Sequence, residues 1–135
     1  MTAIVTRPLS DSTDSLLRFA MRLDATLTGL LGLGIAAMAD PMARLIGLSP
    51  IQEYAIGAAF VLYGLAVYAL AAMPDVRRVG IGLVLFNVVG TVGFLAIATA
   101  GVLPLTQGGV IATLASAAYT ATFAVLQYLG VRRLA

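Results

Sequence analysis

Four apolar runs, near residues 16–39, 51–73, 79–100 and 108–129, dominate the chain. Each is long enough to cross the roughly 30 Å hydrocarbon core of a bilayer, which takes about 20 helical residues. Composition supports the same solvent. Of 135 residues, 61% are hydrophobic and 10% are charged. A soluble domain of this size needs more charge to cover its surface. The expected fold is all-α: a single membrane domain over 1–135, built as a transmembrane four-helix bundle.

Punctuation between the runs fits helices. "SDSTDS" offers N-cap candidates, and Asp14 complements a first-turn dipole. "ADP" at 39–41 should end the first helix, because a residue before proline avoids the helical region. "LSPIQE" at 48–53 opens the second, with Ser49 as cap, Pro50 at the first position and Gln52 completing a capping box. "MPDVRR" and "GVLPLTQGG" form the later turns. Over 41–48, Met42, Leu45 and Ile46 can share one face with Arg44 off it. That pattern suits a short interfacial helix, and a structured loop is the alternative. "AMA" before Asp40 has the small-x-small form of a signal-peptide cleavage site, but the segment is read as a retained span.

Arginine supplies the orientation. Arg7, Arg18, Arg22, Arg77, Arg78, Arg132 and Arg133 fall on one side, and Arg44 alone on the other. By the positive-inside rule, both termini are expected in the cytoplasm and the protein in the cytoplasmic (inner) membrane. With no tryptophan, the aromatic belt falls to Tyr54, Tyr68 and Tyr128. Asp24 stands 17 residues before Pro41, and Asn87 stands 17 before Pro104. This faint repeat is compatible with two related hairpins, or with chance similarity among apolar helices.

Several function classes are disfavoured. The chain has no cysteine or histidine, which removes disulfides, thiolate chemistry, imidazole bases and the usual haem and zinc ligands. A net charge of +2 is a poor basis for binding nucleic acid. Nucleophile–base pairs and phosphate-cradling glycine loops are also missing. No enzyme activity, cofactor or metal is expected. Asp24 is expected at cytoplasmic depth and Asp40 and Glu53 toward the outer side, so no catalytic carboxylate pair is expected within the chain.

In lipid, small residues that permit close approach mark helix contacts. The first span carries Thr28, Gly32 and Ala36 at four-residue spacing. The fourth carries Gly108, Ala112, Ser116, Thr120 and Ala124. Asn87, Gly90, Thr91 and Phe94 share a face of the third span, and Gly57 and Gly64 mark the second. At about 100° per residue, Asp24 lies on the Thr28 stripe, roughly opposite Arg22, and should face the bundle. Arg18 and Arg22 are expected to snorkel to headgroups. Expected partners of Asp24 are Asn87, Thr28, Thr91 or a loop arginine.

Intramembrane carboxylates are functional candidates. Asp24 is read either as a proton- or cation-binding group or, preferably, as a structural aspartate satisfied by neighbouring donors. Glu53 is either a ligand-facing acid or a complement to a helix N-terminus, and the second reading is preferred. Asn87 either lines a cavity or joins helices. Tyr63, Tyr68, Tyr119 and Tyr128 surround an apolar ligand or serve packing and anchoring. Gln127 is expected to face water or a loop.

"LRFAMRLDATLTGLLGLGIAA", "LIGL", "VLYGLAVYAL" and the closing "VRRLA" together resemble small four-span integral membrane proteins of actinobacteria. That resemblance implies location and topology, with no activity attached. A looser likeness to DoxX-like membrane proteins transfers no residue-level motif. Span count and an acid in the first span are similar to the small multidrug-resistance transporters. Those proteins place a glutamate deeper and a tryptophan in the cavity, and this chain has neither. The leading expectation is a non-catalytic membrane protein acting by helix association, as a homo-oligomer or an accessory subunit of a larger complex, in contact with membrane lipids. The alternative is a small transporter or a binder of lipid or another apolar ligand, with Asp24 as its ionisable centre. An enzyme acting on lipids is a third, weaker reading.

Overall fold

A computed structural model describes residues 13–134 and is built from α-helices. In chain order they are α1 (Ser15–Ala37), α2 (Ala39–Ile46), α3 (Pro50–Ala71), α4 (Val76–Ala100) and α5 (Gln107–Arg132). The four long helices have 22 to 26 residues and are apolar enough to cross a membrane. At 1.5 Å per residue each reaches at least about 33 Å, which exceeds the hydrocarbon core. Their bounds lie within three residues of those read from the sequence.

Local chemistry sets the ends. Ser49 and Gln52 form the expected capping box, at 3.1 Å and 2.9 Å, with Pro50 opening α3. Asp75 caps α4 and Thr106 caps α5, each accepting from the backbone N–H three residues on. Asp14 holds the N-cap position of α1 without a capping bond and pairs instead with Arg18 at 3.1 Å. Arg18 does not snorkel as expected. Its guanidinium turns across to donate to the Ala71 and Met73 carbonyls, which closes the C-terminal end of α3. Arg22 is exposed.

The short α2 begins two residues earlier than expected, with Pro41 accommodated in its first turn. Ala43 and Ile46 turn into the bundle, while Leu45 faces outward. The expected Met42–Leu45–Ile46 face is therefore divided between inside and outside. Gly47 ends α2 at φ 100°, a left-handed conformation that favours glycine. Thr106 then ties this corner to the far loop: its hydroxyl donates to the Leu45 carbonyl and its N–H to the Ile46 carbonyl, the latter at 2.9 Å.

Two close helix pairs make the bundle, α1 with α3 and α4 with α5, and α1 against α5 joins them. Glycine permits the first contact. A Cβ on Gly32 would lie 2.5 Å from the Gly57 carbonyl oxygen, and one on Gly64 would lie 2.7 Å from that of Ala25. Gly130 brings α5 equally near the backbone of Leu17 on α1. The main apolar core sits at the end carrying both termini, around Leu17, Met21, Val67, Val76, Leu83 and Val131. Toward the α2 end packing thins: beyond Asn87, α4 has no buried residue. Between Ile81 and Ala98 its exposed residues are all apolar or glycine, as a lipid-facing helix requires, with Arg77 and Arg78 at its first turn.

Candidate functional site

Asp24 occupies the middle of an α1 face already pressed inward by Leu17, Met21 and Thr28, and it is fully buried. Its two oxygens collect donors from three helices. Oδ1 accepts from Thr28 at 3.1 Å and from Tyr119 at 2.9 Å. Oδ2 accepts from Tyr63 at 2.7 Å and from the Gln127 amide at 3.1 Å. A carboxylate offers about four lone-pair positions, so these four donors saturate it.

The surroundings fix the donors. Tyr63, from α3, stacks on Phe86 of α4 with ring centroids 5.6 Å apart. Tyr119 packs on Phe123 at 4.7 Å, and its hydroxyl also contacts Thr28 at 2.8 Å and the Asp24 carbonyl at 3.1 Å. Gln127 is itself fully buried and uses both ends of its amide. While Nε2 donates to Asp24, Oε1 accepts from Asn87 at 2.9 Å. Through Gln127 the network reaches α4, so all four long helices contribute. Asp24 and Asn87, the positions matched in the faint sequence repeat, thus meet at opposite ends of one side chain.

A second polar contact lies beside the first. The hydroxyls of Thr91 and Thr120 are 2.6 Å apart, and Thr91 also donates to the Asn87 carbonyl. Of the partners expected for Asp24, Thr28 touches it directly and Asn87 reaches it through Gln127. Thr91 does not reach it, because its hydroxyl is taken up by Thr120 and the Asn87 carbonyl. Among the described residues no arginine pairs with Asp24: Arg18 is committed to Asp14 and to the end of α3. The expectation that Gln127 faces water is overturned. It lies more than a turn inside α5, whose last residue is Arg132.

Other candidates fall outside this centre. Tyr68 is half exposed and contacts Thr26 at 3.2 Å. Tyr54 and Tyr128, like Tyr68, sit half exposed near helix ends, as a belt would. Glu53 lies in the first turn of α3, at the end away from the network. It is only 2% exposed, and its Oε1 has no hydrogen-bond partner among the described residues. Among the packing candidates, Gly32 and Ala36 contact Gly57 closely, and a Cβ on Gly90 would meet Thr120 at ordinary van der Waals distance. Ala112, Ser116 and Thr120 are only half buried. No cluster of three metal-ligating side chains forms among the described residues.

Tyr63, Tyr119 and Gln127 are the network members that the sequence did not assign to Asp24. The available signal was chemical: a lipid-buried carboxyl group demands several donors, and these are the polar side chains on neighbouring spans. Comparison with family models, curated proteins and solved structures gave no match.

Proposed function

We propose that this multi-pass membrane protein acts without catalysis, by association within the bilayer, as a homo-oligomer or an accessory subunit of a larger membrane complex. The observation that carries this reading is the saturation of Asp24. Its acceptor positions are filled from within the chain, so the hub works as a latch between helices. What the protein offers to others is its outer surface. On that surface α4 is the least covered span, and Gly82 and Gly93 open onto free space. Phe86 and Val89 lie between them on the same helical face, both well exposed. Small residues flanking larger ones on a lipid-facing helix suit close helix–helix approach.

The chain contains no cysteine, so single-cysteine variants report contacts cleanly. Val89→Cys is expected to crosslink in native membranes, to a second copy or to a larger protein. Leu30→Cys, on the exposed face of α1, serves as the control. A Val89→Cys protein that stays uncrosslinked and runs as a lone chain in native mass spectrometry would overturn the reading.

A second reading has its own support: Asp24 is a buried carboxyl group with no cationic partner among the described residues, and ionisable groups within membrane spans mark ion and proton pathways. It requires Asp24→Asn to abolish ligand binding or transport while the fold survives. Loss of stability alone would leave Asp24 as the latch. We place the protein in the cytoplasmic membrane with both termini inside, on the strength of the seven-to-one arginine asymmetry.

A further inference from the structure

The end of the bundle that carries the main core also gathers the positive charge. Arg18, Arg22, Arg77, Arg78, Arg132 and Arg133 lie there, with Asp14 and Asp75 as the exposed or half-buried acids. Asp14 is paired with Arg18, and Asp75 with Arg78. Arg132 and Arg133 have no carboxylate partner among the described residues, and both are exposed.

These two differ from the other arginines in what lies beside them. They border an open groove of about 330 Å³ whose remaining walls are Leu16 and Leu129, whereas the groove beside Arg18 and Arg22 is shared with the Asp14 carboxylate. The groove runs between the start of α1 and the end of α5. The close contact of Gly130 with the Leu17 backbone locks those two helices together beside it. The Arg132 guanidinium rests over the Tyr128 ring, 5.8 Å from its centroid, which restrains it at the groove. Below the groove, Leu23 and Leu27 continue from Leu16 along one face of α1 at helical spacing. Leu27 is 44% exposed, so this track opens to lipid.

Two unpaired guanidiniums above a leucine-lined track match one chemistry: a phosphate carried on an acyl chain. Guanidinium groups bind phosphate oxygens with charge-assisted, often bidentate, hydrogen bonds. Basic pockets between membrane helices at the charged end suit anionic headgroups. A free anion would gain nothing from the apolar walls. We propose that this groove binds one anionic phospholipid, with its phosphate at Arg132 and Arg133 and an acyl chain along Leu16, Leu23 and Leu27. The inference does not depend on whether the protein associates through α4.

The test is native mass spectrometry of the full chain, titrated in detergent with phosphatidylglycerol or with phosphatidylcholine. One phosphatidylglycerol per chain is expected to be retained in preference to phosphatidylcholine. The double change Arg132→Gln and Arg133→Gln should weaken it by about tenfold or more. Arg77→Gln with Arg78→Gln, which removes the same charge at the same end, should leave the bound lipid in place. Leu16→Gln with Leu129→Gln keeps every arginine and should also weaken binding, which preserves the test if the first pair misfolds. Equal retention of the two lipids would overturn the proposal. So would an equal loss from both arginine pairs, which would mean diffuse attraction without a site. Displacement by soluble glycerol phosphate at the same concentration as the lipid would show an anion site without lipid recognition, and would overturn it too.

Discussion

At the residue scale, Asp24 bonds to side chains from three of the four long helices and reaches the fourth through Gln127. Asp24→Ala leaves the donors of Tyr63 and Gln127 buried without their acceptor, while Tyr119 keeps the Thr28 hydroxyl and the carbonyl of residue 24. Each orphaned group costs about 1–3 kcal/mol, so a loss of about 2 kcal/mol or more is expected in unfolding from mixed micelles. Tyr63→Phe removes a single bond to a carboxylate and should cost about 1.5 kcal/mol. Thr91→Val, which breaks a neutral interhelical pair, should cost about 0.6 kcal/mol. If all three cost the same, the carboxylate is not the hub. Glu53 should behave in the opposite sense. Its place in a helix first turn is worth about 0.3–1 kcal/mol, whereas a buried oxygen without a partner costs about 1–3 kcal/mol. Glu53→Met should therefore raise the melting temperature of the detergent-solubilised protein. The inward aim of Asp24 was legible, because Thr28 and Gly32 share its face. Its tyrosine partners were not, because a membrane tyrosine serves belt and core equally well and nothing local says which helix it meets.

At the element scale, the glycines divide into those that touch a backbone and those that do not. Gly57→Ala would place a methyl 2.6 Å from backbone atoms of α1, with no flexible side chain to yield. It should separate α1 from α3 and cause a large loss of folded yield. A methyl on Gly90 would meet only the Thr120 side chain, at 3.6 Å and beyond. Gly90→Ala should be neutral, or stabilising by about 0.5–1 kcal/mol through helix propensity. Thermal denaturation of the two variants side by side decides this. The contrast also explains a partial misreading of α5. A four-residue repeat advances about 40° per step, so a stripe from Gly108 to Ala124 drifts around the helix. The buried line runs instead through Ala117, Ala124 and Val131, in steps of seven. That is why Ala112 and Ser116 are half buried and Gln127 is fully inside. The helix bounds and the capping box of α3 were legible because proline, serine and glycine act locally. The pairing of α1 with α3 and α4 with α5 rests on contacts between distant positions.

At the scale of the whole molecule, topology is the most direct thing to measure. With Arg44 alone on one side, a cysteine at Leu103 should be labelled by impermeant reagents added outside, and one at Pro74 only after permeabilisation. The reverse pattern would place both termini outside. The four-span architecture was legible because span length and arginine placement are properties of sequence alone. The uneven packing was not, since it emerges only when four helices share one core. The clasp of Thr106 on the end of α2 has a consequence of its own. With Gln127 and Asp24 it makes two fastenings between the halves of the chain, and neither uses the turn between α3 and α4. Each half is a helical hairpin with arginines of its own to orient it. Cut at Met73–Pro74 and made as two separate polypeptides in one cell, the halves should find each other in the membrane and co-purify.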